Sequence, residues 1–134
     1  MKIDLTTEFD LNPGLDSQSL ESIANDILEK LKIKNFNNLI EVFLVTNDKI
    51  RDLNKTHRKK DEATDVLSFP QEQFPAAGEQ VLGTIFIAPE FAKNEEVSCE
   101  ELFVHGVLHL LGYDHEANKK NWLEAEEKIG RKSL

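Results

Sequence analysis

The chain has 134 residues, of which 40% are apolar and 31% charged, and a formal net charge of -9. That length suits one domain, residues 1–134, able to bury about two-thirds of the surface its unfolded form exposes. No apolar run approaches the ~20 residues of a membrane helix, and so strong an acidic excess argues against a protein coated in nucleic acid, because phosphate binding rests on Lys and Arg.

Lys2 to Thr7 alternates apolar and polar side chains and predicts a strand, ended by the turn signal Asn12, Pro13, Gly14. Acid within the first four residues, and no apolar core of leader length, predict no secretion. Asp16 or Ser17 can cap a helix through Lys32, with Leu20, Ile23, Ala24, Ile27, Leu28 and Leu31 at helical spacing. Leu39 to Val45 is apolar and partly β-branched, which predicts a strand buried on both faces. Asn47 or Asp48 then starts a short helix holding Ile50 and Leu53 and displaying a basic cluster. Lys49 to Lys60 holds six Lys and Arg residues and one acid, whereas Glu90 to Glu101 holds five acids and one lysine. Such a basic stretch is either a solvated helix face or a phosphate-binding one.

Thr64 to Phe69 predicts a third strand, stopped or held at a sheet edge by Pro70. Gln71 to Gln80, with Pro75 and Gly78, predicts a loop, and Val81 to Ala88 a fourth strand. A helical segment runs from Pro89 to about Val97, and Ser98 with Glu101 makes a capping box for the next helix. Cys99 is the only cysteine, which excludes an internal disulfide and fits the cytoplasm; it reads as a small buried hydrophobe. A final helix from Ala117 to about Lys132 buries Trp122, Leu123 and Ile129. Because strands and helices intermix, the expected fold is α+β, layered as in α/β proteins: a mixed four-stranded sheet packed with helices, the histidine-bearing one among them.

Three of the four histidines, His105, His109 and His115, fall within eleven residues. The first two are four apart in an apolar helical run, so at 3.6 residues per turn they point about 40° apart on one face. Gly112 can take positive φ and reverse the chain, carrying His115 back toward them. A single histidine on an apolar helix face reads as a core residue. Three at this spacing, with a glycine where the chain must turn, read as ligands of one metal ion. Three imidazoles with an open fourth position suit a catalytic zinc rather than a structural one.

The spacing matches the zincin-like helix of metzincin peptidases, His-Glu-x-x-His-x-x-Gly-x-x-His, but Gly106 stands where the general base should be, and Met1 is the only methionine, leaving none for the turn beneath the metal. Peptide hydrolysis is therefore disfavoured. A metal site of this type can still serve phosphodiester hydrolysis if positive charge stabilises the oxyanion. Arg58 and Lys59, just before the third strand, are the natural suppliers and candidate RNA contacts, since a guanidinium grips phosphate in a bidentate fork.

The run from His105 to His115, with Gly106, Leu108, Leu110, Gly112, Tyr113 and Asp114, resembles the signature of the YbeY family of single-domain bacterial endoribonucleases. A second signature of that family, an Asn and an Arg before Thr-Asp-Val-Leu-Ser-Phe-Pro, is matched by Asn54, Arg58 and Thr64 to Pro70. The resemblance implies one zinc ion on His105, His109 and His115, with Arg58 as the functional arginine on RNA phosphate. It also implies single-strand-specific cleavage, maturation of the 16S rRNA 3′ end, ribosome quality control, and the small ribosomal subunit with a ribosomal protein as partners. One departure stands out: the family usually reads Leu-Gly-Asp-Ile in the last strand, and this chain has Thr84 in place of the acid.

Other residues admit two roles each. Asp114 could orient a ligand histidine or relay a proton, or simply shape a turn. Tyr113 could donate a hydrogen bond near the metal or pack its ring. Glu101 fits the capping box better than the metal site, Asp65 and Ser68 could line the cleft, and His57 reads as a solvated helix residue. The alternative to an enzyme is a non-cleaving RNA- or ribosome-binding assembly factor with a structural metal, acting through the basic face.

Overall fold

Alternating side chains put the chain into a strand at once, β1 (Lys2–Thr7), in the computed structural model, which describes residues 1–34, 39–71 and 81–131. Asp16 caps α1 (Ser17–Lys30): its carboxylate accepts the Ser19 N–H at 2.8 Å and the Ser19 hydroxyl at 3.0 Å. The remaining elements are β2 (Leu39–Leu44), α2 (Asn47–Arg58), β3 (Val66–Pro70), β4 (Val81–Ile87), α3 (Pro89–Asn94), α4 (Cys99–Leu110) and α5 (Lys119–Ile129).

The strands form the expected mixed sheet in the order β1-β2-β4-β3, with β1–β2 and β2–β4 parallel and β3–β4 antiparallel. The fold is α+β. Placing β3 at the edge explains how Pro70 ends a strand opposite Gly83, since an edge position needs no second set of N–H donors. One sheet face, with Ile40, Val42, Leu44, Ile85 and Ile87, packs on Leu20, Ile23 and Ile27 of α1, Leu102 and Phe103 of α4, and Trp122 and Ile129 of α5. The other face, through Leu67, Phe69 and Phe86, packs on Ile50 and Leu53 of α2. Consequently α2 and α4 lie on opposite sides of the sheet.

Several boundaries differ from expectation for local reasons. α1 stops at Lys30, and Lys32 takes φ +55° just beyond it. The N-cap of α2 is Thr46, whose hydroxyl accepts the Lys49 N–H at 3.1 Å, not Asn47 or Asp48. β2 alternates buried and half-buried residues instead of being buried on both faces, because its second face carries Glu41 beside Phe43. β3 begins at Val66 rather than Thr64, β4 ends at Ile87, and α3 ends at Asn94 ahead of Glu96, which takes φ +60°. α5 starts at Lys119, because Asn118 provides the cap by accepting the Asn121 N–H at 3.0 Å. Leu123 is 52% exposed rather than buried: Trp122, Ala125 and Ile129 fill the inward face, and a residue next to Trp122 points about 100° away. Residues 72–80 of the expected loop, with Pro75 and Gly78, and Lys132 of the expected last helix lie outside the described residues. Among the described residues no helix is long and apolar enough to cross a membrane.

Candidate functional site

Ser98 starts α4 as the sequence predicts: its hydroxyl accepts the Glu101 N–H at 3.1 Å and donates to Glu101 Oε1 at 3.1 Å, so the Glu101 carboxylate serves the cap. The helix then lies on β4 through Gly106, where an added Cβ would stand 2.8 Å from Ile85 Cδ1. The position that carries the base in peptidases of this spacing therefore faces the sheet and has no room for a side chain.

His105 and His109 sit one turn apart with their Nε2 atoms 3.1 Å from each other. Gly112 takes φ +97°; its N–H donates to the His109 carbonyl and the Tyr113 N–H to the Leu108 carbonyl, both at 3.0 Å, which is the Schellman pattern of helix termination. That reversal returns His115 to the helix. Ring centroids are 4.7 Å apart for His105 and His109, 5.1 Å for His105 and His115, and 5.4 Å for His109 and His115. One ligand atom from each lies within 4.8 Å of the others, close enough to hold a metal ion.

The donor set fits such an ion. Two nitrogens on one tetrahedral zinc with bonds of 2.0–2.1 Å stand about 3.3 Å apart, a few tenths beyond the 3.1 Å seen here. Burial, followed by the charges of His105 and His115, lowers the His109 pKa to about 4, so the ring is neutral at pH 7, the form that ligates a metal.

Asp114 Oδ1 accepts the Glu116 N–H at 2.9 Å and the Ala117 N–H at 3.2 Å, fixing the turn that presents His115. Those two bonds, and then the nearby His109 and His115, hold its carboxyl below the ordinary carboxylate range. Tyr113 is half-buried and packs its ring on the main core.

Arg58 is the last residue of α2. Its Nη2 donates to the Ser68 carbonyl at 2.9 Å, and its guanidinium lies 5.3 Å from the centre of the Phe69 ring. Because Ser68 is on the edge strand, Arg58 reaches from the α2 side to the border of the α4 side, and its charge is among those that depress His109. Lys59 is exposed in the left-handed region, φ +58°, as the C-cap of α2, and its side chain makes no hydrogen bond or ion pair among the described residues. Arg51 is paired with Asp61 at 2.8 Å, and buried Asn54 donates to the Glu62 carbonyl at 2.9 Å, which ties α2 to the segment before β3. Asp65 accepts from its neighbour Thr64 at 3.3 Å. His57 stands edge-on to Phe69 at 5.2 Å, so it is exposed yet packed against the ring that supports Arg58.

Sequence reasoning missed what lies beside the histidines. Trp122, 2% exposed, has its ring 5.0 Å from His105, 5.1 Å from His109 and 5.2 Å from His115. Helical periodicity marks Trp122 as buried; nothing in the spacing says against what. Thr84 is likewise buried, 1% exposed, and its Oγ1 has no hydrogen-bond partner among the described residues.

Comparison with known proteins gives concordant matches. The family described as Endoribonuclease YbeY matches residues 6–132. A protein of Aliarcobacter butzleri named Endoribonuclease YbeY is 40% identical over 137 aligned positions, covering 96% of this chain and 89% of the relative. One of Sulfurovum sp. with the same name is 37% identical, covering 86% of each chain. The solution structure of TM1509 from Thermotoga maritima superposes with a TM-score of 0.52 at 33% identity, over 96% of this chain and 84% of that one.

Proposed function

The chain belongs to the Endoribonuclease YbeY family, and from that premise we propose a zinc-dependent, single-strand-specific endoribonuclease of one domain, residues 1–134. It acts in the cytoplasm on the 16S rRNA 3′ end, in company with the small ribosomal subunit and a ribosomal protein, and contributes to ribosome quality control. The observation that carries this reading is the histidine cluster. Among the described residues it offers three imidazole ligands to one ion, which leaves a tetrahedral zinc one position for substrate chemistry.

His105, His109 and His115 would hold the zinc, which when bound would lower the pKa of a coordinated water to about 7 and polarise a phosphoryl oxygen. The chain's own residues do the rest. Arg58, fixed by the Ser68 carbonyl and the Phe69 ring, keeps the remaining edge of its guanidinium for a phosphate, in a fork that matches two oxygens. Exposed Lys59 adds positive charge along the strand's approach. Asp114 keeps the His115 turn in shape and sets a negative charge beside two ligand rings, and Tyr113 anchors the same turn to the core.

The deciding experiment is cleavage of a single-stranded rRNA 3′ fragment by zinc-loaded wild type beside folded His109→Ala and Arg58→Glu. Wild type is expected to cut and both variants to fail. Equal cutting by all three would assign the activity to a contaminant, and binding without cutting by wild type would support the assembly-factor alternative.

A further inference from the structure

We propose that Trp122 is a positioning residue for the metal ligands: its indole is the wall on which all three imidazoles are set, and it strengthens metal retention by ordering His115 before the ion arrives. This rests on the metal-site reading above and assigns a part of that site to α5, which contributes no ligand.

The three rings are not equally secured. His105 and His109 are carried on α4, a capped helix pressed onto β4 through Gly106. His115 lies beyond the reversal at Gly112, exposed and outside any helix or strand. The Asp114 carboxylate fixes the backbone around it, but those hydrogen bonds end on the N–H groups of Glu116 and Ala117 and leave the imidazole free to rotate. Among the described residues the ring stands against the other two histidines and against Trp122, at 5.2 Å with the planes inclined by 62°. That is a favoured edge-to-face arrangement of aromatic rings.

Trp122 can act as a wall because it is itself held: it is 2% exposed, four residues past the Asn118 cap, on the helix face that buries Ala125 and Ile129. Its distances to the three histidine rings differ by only 0.2 Å, so one indole contacts the whole ligand set. A ligand already ordered loses less rotamer freedom on binding, which is how a residue that never touches the ion can raise its affinity.

The test uses metal-free protein and zinc titrated against a chromophoric chelator, for wild type, Trp122→Leu and Trp122→Phe. Thermal unfolding of each metal-free form and NMR of the histidine ring protons are recorded alongside. Trp122→Leu is expected to stay folded, to bind zinc roughly 10–100-fold more weakly, and to move the His115 ring signals toward those of a free imidazole; Trp122→Phe should restore most of the affinity. A folded Trp122→Leu that binds zinc within twofold of wild type overturns the proposal, as does failure of Trp122→Phe to rescue. If Trp122→Leu does not fold, metal-free wild type decides, because an indole at this distance must displace the His115 ring signals and their absence overturns the proposal. A wild type with displaced signals that takes up no zinc refutes the metal site itself, and the proposal with it. Equal affinities across the series refute only the role of Trp122.

Discussion

Gly106 of α4 lies so close to Ile85 of β4 that a carbon added to the glycine would stand 2.8 Å from Ile85 Cδ1 and 3.0 Å from Cγ2. The contact seats the histidine helix on the sheet, and it fixes what position 106 can do. Gly106→Glu, which would restore the peptidase pattern, must drive a carboxylate into fully buried Ile85. The expected loss of stability is on the order of 3–5 kcal/mol, from an uncompensated buried charge and overpacking, with no gain of peptide hydrolysis. Gly106→Ala isolates the packing: an overpacking cost of about 1–3 kcal/mol is partly offset by about 1 kcal/mol of helix propensity. Thermal unfolding and a peptide-hydrolysis assay check both variants; an unchanged melting temperature for Gly106→Glu would mean that this face of α4 opens to solvent.

Arg58 separates charge from geometry. The side chain is exposed and, among the described residues, anchored by the Ser68 carbonyl and the Phe69 ring, so neither Arg58→Lys nor Arg58→Ala should change stability by more than about 0.5 kcal/mol. Activity should respond strongly. Arg58→Ala is expected to lower kcat/KM about 10²-fold or more, and to reduce the slope of log affinity against log salt by about one phosphate contact. Arg58→Lys keeps the charge and loses the fork, so it should recover the salt slope without recovering the rate. Full activity in Arg58→Lys would show that the guanidinium acts as a simple point charge.

How much of this was legible in the sequence depended on range. The His105, His109 and Gly112 spacing is local, and the helix and its Schellman end follow from it. Ser98 is likewise legible as a cap, and Asp16 as one of two candidates with Ser17, whereas Thr46 is masked by the two polar residues after it, Asn47 and Asp48. Arg58 stands out in the sequence as a candidate for phosphate, and Pro70 allows β3 an edge position, but that the guanidinium anchors on the Ser68 carbonyl follows only from the packing of α2 against that strand. Trp122 shows the same limit. Periodicity tells that a residue is buried, and only the docking of α5 beside the returning turn tells that it meets three histidines.

Away from the histidines, Glu41 of β2 is paired in register with Asp4 of β1, and its Oε1 is buried without a hydrogen-bond partner among the described residues. Burial, and then the Asp4 charge, raise its pKa above 4.5. The folded chain therefore holds this proton more tightly than the unfolded chain does, and the stability associated with it falls as pH rises from about the unfolded value through the raised one. Glu41→Gln should stabilise the protein at pH 7 by about 1 kcal/mol or less at this half-buried site, and the gain should shrink as pH falls through the raised value and be gone below about pH 4.5. Thermal melts of both proteins at pH 7 and pH 4 check it; a gain independent of pH would remove the carboxylate from the explanation.

The same row of the sheet makes position 84 a poor place for an acid. Asp4, Glu41 and Thr84 face each other in register across β1, β2 and β4, so an acid at position 84 would stand beside a carboxyl already short of solvent. Thr84 is 1% exposed, its Oγ1 has no hydrogen-bond partner among the described residues, and Thr84→Val should accordingly stabilise the protein by about 1 kcal/mol. Thr84→Asp should destabilise it by several times as much, through a buried carboxylate repelled by Glu41. Adding Glu41→Gln removes the repulsion but not the burial, so the double variant should be more stable than the sum of the single effects by about 0.5–3 kcal/mol. Chemical denaturation of the four proteins of this cycle measures that coupling. Effects that add to within about 0.5 kcal/mol would show that the two side chains do not sense each other, and that Thr84 owes its place to something other than Glu41.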